Sequence, residues 1–333
     1  MKKILFLFTI LFVHHFSNAQ DPVVKKYAAY ISEKGLKANL SVLAHDSMEG
    51  RETGKLGQRK AAAYIESQFK KLGLLKPASL NSYQQPYSVV YDPSVKACNV
   101  IGIIEGTDKK DEFVFLTAHY DHLGMKNGVV YNGADDDGSG TAAVLEMAAA
   151  FAQAKKDGKG PRRTIVFLTF SGEEKGLWGS EYYSENPIFP LDKTSVDLNT
   201  DMIGRIDTER KKGDTLNYVY VVGHDKISSE LPIINEKANQ LYTNMTLDYK
   251  FDDPNDPEMI YYRSDHYNFA KKGVPVLFFY DGMLLADYHK PTDDIERIYW
   301  SLYEKRTRMI FCTAWEIANR NEMLKRDKPL PNE

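Results

Sequence analysis

Apolar positions along the chain follow two recurring patterns. Across residues 57–72 the side chains Ala61, Ala62, Tyr64, Ile65, Phe69 and Leu72 recur at helical spacing with Lys and Gln between them, which predicts an amphipathic helix ending at Gly73. Five other runs, 99–104, 113–118, 164–170, 218–222 and 274–280, are short, mostly apolar and bounded by polar residues or glycine. Each predicts a strand, the last three interior ones. The Ala-rich run 139–154 predicts a helix after the turn Gly138-Ser139-Gly140. Strands alternating with helices predict an α/β fold with a mixed, mostly parallel central sheet covered by helices on both faces. Residues 74–97 and the Asp/Pro-rich stretch 252–258 are the main irregular regions, and the charged tail 325–333 is expected to be solvated and frayed.

The first nineteen residues break this pattern. Lys2 and Lys3 precede an apolar run from Ile4 to Val13, and Ser17-Asn18-Ala19 supplies a cleavage site. The run falls well short of the ~20 residues a membrane-spanning helix needs. It predicts a secretory signal peptide over 1–19, export to the periplasm or the medium, and no stable membrane insertion. What remains, 20–333, is expected to form a single catalytic domain with no inserted protease-associated domain. Net charge is −3, and −5 without Lys2 and Lys3, which argues against nucleic acid as a partner. The two cysteines, Cys98 and Cys312, are too few for a disulfide framework and can either pair or stay buried.

Acids and histidines cluster where predicted strands end. They are His119-Tyr120-Asp121, Asp135-Asp136-Asp137, Glu173-Glu174, Asp201 and His289. A single strand-end histidine is more often a satisfied polar residue than a ligand, and three aspartates in a row usually make a solvated turn. Together, against buried strands, these acids would repel one another unless a cation lay among them. Imidazole with carboxylate, and no usable thiolate, suits zinc better than calcium.

The motifs HYDH at 119–122, NGADDDGSGTA at 132–142, SGEEKGLWGSEYY at 171–183, NTDMIG at 199–204, RSDH at 263–266 and YHKPTDD at 288–294 occur in the order found in metallopeptidase family 28. With the segment Ser47-Met48-Glu49-Gly50-Arg51, the chain resembles that family of co-catalytic dizinc aminopeptidases over almost all of its length beyond the leader. The resemblance implies two Zn2+ per chain, bridged by Asp136. Glu174 and His289 would complete one metal, His119 and Asp201 the other. It implies a hydroxide held between the metals, with Glu173 as general base, and peptide substrates with a free N-terminus. Asp121 is expected to hold the second nitrogen of His119, if the strand continues that far, and Asp265 and Asp293 are further supporting candidates. Tyr261 falls where the family places an oxyanion donor, with Tyr262 the competing choice. His45, His122, His224 and His266 read as structural or surface histidines. Two departures stand out: the cysteine pair some aminopeptidases carry near the tyrosine is absent, and Lys290 stands where threonine is common.

Other chemistries fit less well. No Gly-x-Ser-x-Gly motif occurs, Ser264-Asp265-His266 cannot form a triad from adjacent positions, and no histidine is followed by glutamate. Within the resembling superfamily the alternatives are a carboxypeptidase, a glutaminyl cyclase-like enzyme, or a non-catalytic binding module. The intact Gly133-Ala134-Asp135-Asp136-Asp137-Gly138 motif favours the peptidases. Arg263, the one arginine inside a matching motif besides Arg51 in the N-terminal segment, reads as a structural ion-pair partner rather than a carboxylate clamp.

Overall fold

The structure, a computed structural model, describes residues 20–89 and 92–330; the leader expected over 1–19 lies outside the described residues. Among the described residues ten strands are formed: β1 (Gln84–Ser88), β2 (Lys96–Ile104), β3 (Lys109–His119), β4 (Met125–Lys126), β5 (Val129–Val130), β6 (Arg163–Phe170), β7 (Thr194–Thr200), β8 (Tyr218–Val222), β9 (Thr246–Asp248) and β10 (Val276–Tyr280). Eight of them make one sheet in the order β1-β2-β6-β3-β7-β10-β8-β9, while β4 and β5 pair separately. The centre, β6-β3-β7-β10, is parallel throughout, and so is β8 with β9. Antiparallel pairs join β1 to β2, β2 to β6 and β10 to β8.

Eight α-helices among the described residues cover the sheet: α1 (Pro22–Ala28), α2 (Glu33–Leu43), α3 (Leu56–Leu72), α4 (Gly140–Lys156), α5 (Trp178–Glu185), α6 (Leu231–Tyr242), α7 (His266–Ala270) and α8 (Trp300–Asn319). Side chains alternate along a strand, so β3 feeds two cores. Val114 and Leu116 join Ile65 of α3, Phe151 of α4 and Phe311 of α8 on one face. Phe113 and Phe115 join Tyr183 of α5 and Phe269 of α7 on the other. The predicted α3 ends where expected, at Gly73, whose left-handed φ of 74° lets its N–H close on Lys70 and Phe69 carbonyls.

Two expectations need correction. The stretch 74–97 is not wholly irregular, since it contains edge strand β1 and the start of β2. Residues 325–328 are tied down, not frayed: Arg326 donates to the carbonyls of Leu191 and Thr194, Asp327 accepts from Ser229, and Lys328 N–H reaches Ile227. Strand β7 was not foreseen, because no apolar run announces it. Its sequence, Thr-Ser-Val-Asp-Leu-Asn-Thr, has five polar residues of seven yet is wholly buried. Lateral bonds make this tolerable: the Thr117 hydroxyl lies 2.7 Å from Asp197 Oδ1 and 3.0 Å from Asn199 Oδ1. Burial pushes the Asp197 carboxyl up to about 8, which leaves it uncharged at neutral pH.

Cys98 and Cys312 are both free and buried. Among the described residues, no helix is long and apolar enough to cross a membrane.

One buried acid lies far from the strand ends in the sequence. Glu146 of α4 packs so tightly on α2 that a Cβ at Gly35 would sit 2.1 Å from its Oε2, and Asn39 Nδ2 donates to its Oε1 at 3.0 Å. Burial pushes its carboxyl from 4.5 up to about 7. The folded state therefore binds a proton more tightly than the unfolded chain. This contribution is fully present below pH 4.5 and is lost as pH rises through about 7. The loss amounts to about 3 kcal/mol at most. Glu146→Gln should thus change urea-unfolding stability little at pH 5 and raise it at pH 8 relative to the parent. An equal difference at both pH values would show that the carboxyl is not charged at a cost.

Candidate active site

The parallel strands end flush, with His119 opposite Phe170 and Thr117 opposite Asn199. Their following loops therefore leave from one edge of the sheet, where α/β folds place ligands. His119 closes β3, Glu173 and Glu174 follow β6, Asp201 follows β7, and His289 lies in the loop after β10. Asp136 arrives from the turn before α4, where its backbone (φ −98°, ψ 101°) departs from helix. The predicted helix accordingly starts at Gly140, one residue late.

All six side chains converge. Asp136 Oδ1 is 3.3 Å from His119 Nε2, and its Oδ2 is 3.2 Å from His289 Nε2. On the first side His119 Nε2 also faces Asp201 Oδ1 at 3.6 Å and Glu173 Oε2 at 3.8 Å. On the second, His289 Nε2 lies 3.0 Å from Glu174 Oε2. One carboxylate thus separates two clusters.

Burial opposes charge on Asp136, but the imidazoles of His122, His119 and His289 outweigh it and hold the carboxyl well below its usual range. Glu173 goes the other way: burial, reinforced by Asp201 and Glu174 against the pull of His119, lifts it well above. His289 is lifted to about 10 despite its burial, because Asp136 and Glu174 both bond to it. Four carboxylates, those of Asp136, Glu173, Glu174 and Asp201, face three imidazoles here, and only the His289 side chain is substantially exposed. The buried Asp136 Oδ2 and Glu174 Oε1 have no aligned hydrogen-bond donor. Oxygen and imidazole atoms arranged this way fit zinc ions, which would satisfy both the charge and the orphaned oxygens.

The three supporting acids take different places around the cluster. Strand β3 stops at His119, so alternation no longer aims Asp121 at that ring. The Asp121 backbone carbonyl lies 3.2 Å from His119 Nδ1, while its carboxylate stands back at 3.6 Å. Asp293 braces the turn, accepting from the N–H groups of Asp135 and Asp136 at 3.0 Å each. Asp265 is buried, and burial, with Asp121 and Asp201 opposing the pull of His119, lifts its carboxyl to about 7.

The two tyrosines proposed from sequence do not line the cleft. Tyr261 is buried against Tyr262, His266 and Tyr267, with the Lys226 ammonium 5.7 Å from its ring centre. Tyr262 packs on the outside of that group. Tyr288 faces the cleft instead, alongside Met202, Ile260, Arg263, Phe278, Tyr280 and Leu284. Its ring stacks on His289 with centres 3.8 Å apart, and its hydroxyl accepts from Arg263 Nη2 at 3.3 Å.

His122 is not merely structural. It is fully buried, with Nδ1 2.7 Å from Glu174 Oε1 and 3.6 Å from Asp136 Oδ2, at angles that leave its nitrogens without an aligned hydrogen bond. It therefore belongs to the second cluster. Asp137, named in the acid cluster but given no role from sequence, also has one. Its two oxygens accept from the N–H groups of His119, Gly140 and Met202 at 2.8 to 3.1 Å, pinning three loops together. Of the remaining histidines, His266 keeps its structural reading: it stacks on Phe278, and burial lowers it to about 3.

Comparison with known proteins identifies the family and the fold. The sequence pattern of peptidase family M28 matches residues 99–314. A probable leucine aminopeptidase of Trichophyton verrucosum is 26% identical over 307 residues, covering 89% of this chain and 76% of that protein. A zinc aminopeptidase from Bacillus subtilis shares the fold at a TM-score of 0.66 and 17% identity, over 90% of this chain and 99% of that one. A glutaminyl cyclase of Porphyromonas gingivalis does so at 0.62 and 18%, over 86% and 98%. Because the family pattern spans more than half of the sequence and takes in every strand end described above, the chain belongs to peptidase family M28.

Proposed function

We propose that this peptidase is a two-zinc aminopeptidase in which Asp136 would be shared between the two metal sites. The observation that carries the reading is the two-sidedness of Asp136, whose oxygens face His119 and His289 separately. His119 and Asp201 would complete one site; Glu174 and His289, with His122 beside them, the other. Zinc bound there supplies Lewis acidity and lowers the pKa of water. Glu173, outside both ligand sets, takes a proton at its carboxylate and returns it to the departing amine. The Tyr288 hydroxyl, with Arg263 already donating to its oxygen, has its own proton free to point into the cleft and bond a developing oxyanion.

The surplus of acids favours a substrate whose ammonium end enters first. Arg263 is the cleft's cation, but its guanidinium is engaged by the Tyr288 hydroxyl and by Glu258, whose Oε2 lies 3.5 Å away. Met202, Ile260, Phe278 and Leu284 line the cleft and favour an apolar first residue. The likeness of the Trichophyton protein, a probable leucine aminopeptidase, supports this choice. We further propose that residues 20–333 act as one catalytic domain exported by the leader.

The test combines metal analysis with one short peptide in three forms. Two zinc equivalents are expected, with cleavage of the free and C-amidated peptides and none of the N-acetylated one. Full activity with a single zinc would remove the dinuclear reading. Activity lost on amidation and kept on acetylation would make the protein a carboxypeptidase.

A further inference from the structure

The segment just before α3 lies outside the stretch matched by the family pattern, yet it reaches into the centre of the site. Residues 50–53 run alongside the loop after β3, with Gly124 N–H donating to the Gly50 carbonyl at 2.9 Å and His122 N–H to that of Arg51 at 3.4 Å. Approach this close needs glycine: a Cβ at Gly50, whose φ is +63°, would meet Gly124 O at 2.3 Å. The next side chain but one beyond Arg51 is Thr53, which is buried at 5% exposure.

Thr53 Oγ1 makes two bonds, each to a different loop. It donates to Asp121 Oδ2 at 2.8 Å and accepts from Gly172 N–H at 2.8 Å. The other Asp121 oxygen, Oδ1, accepts from Glu173 N–H at 3.2 Å. A closed ring results, in which one hydroxyl and one carboxylate hold two successive amides. Those amides belong to the turn that carries Glu173, where Gly172 has a φ of +78° that few other residues adopt. Directionality is also fixed. The hydroxyl has a single proton and spends it on Asp121, so its lone pairs are what remain for Gly172. Nothing else described on the Gly172 and Glu173 amides competes with these bonds.

We infer that Thr53 is a positioning residue that, through Asp121 and the Gly172 amide, sets the backbone from which Glu173 reaches the metal cleft. The Thr53 hydroxyl itself bonds none of the groups proposed as metal ligands, and the two amides its ring holds are those of Gly172 and Glu173, so its loss should act mainly on proton transfer and leave zinc affinity nearly unchanged. The kinetic part of the inference rests on Glu173 being the base; the structural part does not.

The experiment compares Thr53→Val, which keeps shape and removes the hydroxyl, with Thr53→Ser, which restores it. Amide hydrogen exchange is followed in the peptide spanning residues 171–175, in both zinc-loaded and chelator-treated protein, beside steady-state kinetics and zinc titration. In Thr53→Val the Gly172 and Glu173 amides should exchange about tenfold faster, and kcat should fall about tenfold, with KM and zinc affinity within about twofold of the parent. Thr53→Ser should match the parent in all four. Unchanged exchange in Thr53→Val, faster exchange with an unchanged kcat, loss of zinc affinity, or a serine variant as impaired as the valine one would each overturn the inference. If Thr53→Val does not fold, Asp121→Asn breaks the same ring from its other side, and exchange at residues 172 and 173 is read again. Failure of the aminopeptidase reading looks different, because the parent protein would then leave the peptides uncut while the exchange result still stood.

Discussion

Glu173→Gln is expected to lower turnover about 100- to 10,000-fold and to leave the zinc content unchanged. Glutamine matches glutamate in shape and keeps the backbone bonds of the 172–173 turn, but it cannot accept a proton. The Glu173 carboxylate faces the His119 side at 3.8 Å, and its neighbour Glu174 faces His289 at 3.0 Å, so two adjacent residues point at different partners. That divergence is the reason to assign one as base and the other as ligand. Asp136→Asn provides the contrast, since it weakens the one carboxylate shared by both clusters and should release metal. Zinc is counted by elemental analysis and turnover measured on an amino-acid p-nitroanilide. Should Glu173→Gln shed zinc as readily as Asp136→Asn, or turn over nearly as fast as the parent, the division of labour is wrong.

How much of this could be read from sequence depended on whether burial was achieved with apolar side chains. Strands β3, β6, β8 and β10 are buried with mostly Val, Ile, Leu, Phe and Tyr and so announced themselves. Strand β7 reaches the same burial with Thr117, Asp197, Asn199 and Ser264 bonded across strands and loops, a pattern with no periodic trace. Helix α8 hid for a related reason: Arg306 interrupts its apolar face, yet its guanidinium is fully buried on the carbonyls of Tyr218, Ile203 and Arg205.

The site shows the same divide. Convergence of His119, Asp136, Glu174, Asp201 and His289 was anticipated from motifs that lie at or after strand ends or, for Asp136, just before helix α4. Orientation beyond a strand end was not, because alternation lapses once the strand stops. That is why Asp121 offers its carbonyl to His119, and why His122, three residues past the first ligand, swings to the far side of Asp136. Tyr288 carried a usable signal, its direct adjacency to His289, but Tyr261 was chosen on spacing within a loop whose path sequence does not fix.

Arg51 is expected to matter more for holding the site together than any residue outside the ligand set. Its side chain is fully buried, without a carboxylate partner, and donates to the carbonyls of Leu43, Tyr120, Asn132 and Gly133 at 2.6 to 2.8 Å. A longer contact reaches the Asp136 carbonyl at 3.5 Å. Burial lowers its pKa, with nearby Asp136, Asp293, Asp121 and Asp137 opposing that effect. The guanidinium thus ties the loop after His119 to the turn bearing Asp136. Arg51→Met fills much of the space and leaves four carbonyls without a donor in a site closed to water. Each stranded group costs about 1 to 3 kcal/mol, offset in part by the desolvation of a charge that is no longer buried, for a net loss of about 4 kcal/mol. Arg51→Lys should fall between, because an ammonium has three donors and cannot span four carbonyls arranged around a planar fork. Urea unfolding of the chelator-treated proteins measures the loss without contribution from metal, and repeating it with saturating zinc tests the connection to the site. Stability in both variants should recover part of the way with zinc, and zinc affinity should fall in the same order, parent above lysine above methionine. A methionine variant as stable as the parent, or a destabilised one that binds zinc with parental affinity, would refute the idea that Arg51 fixes the two loops in ligand-holding positions.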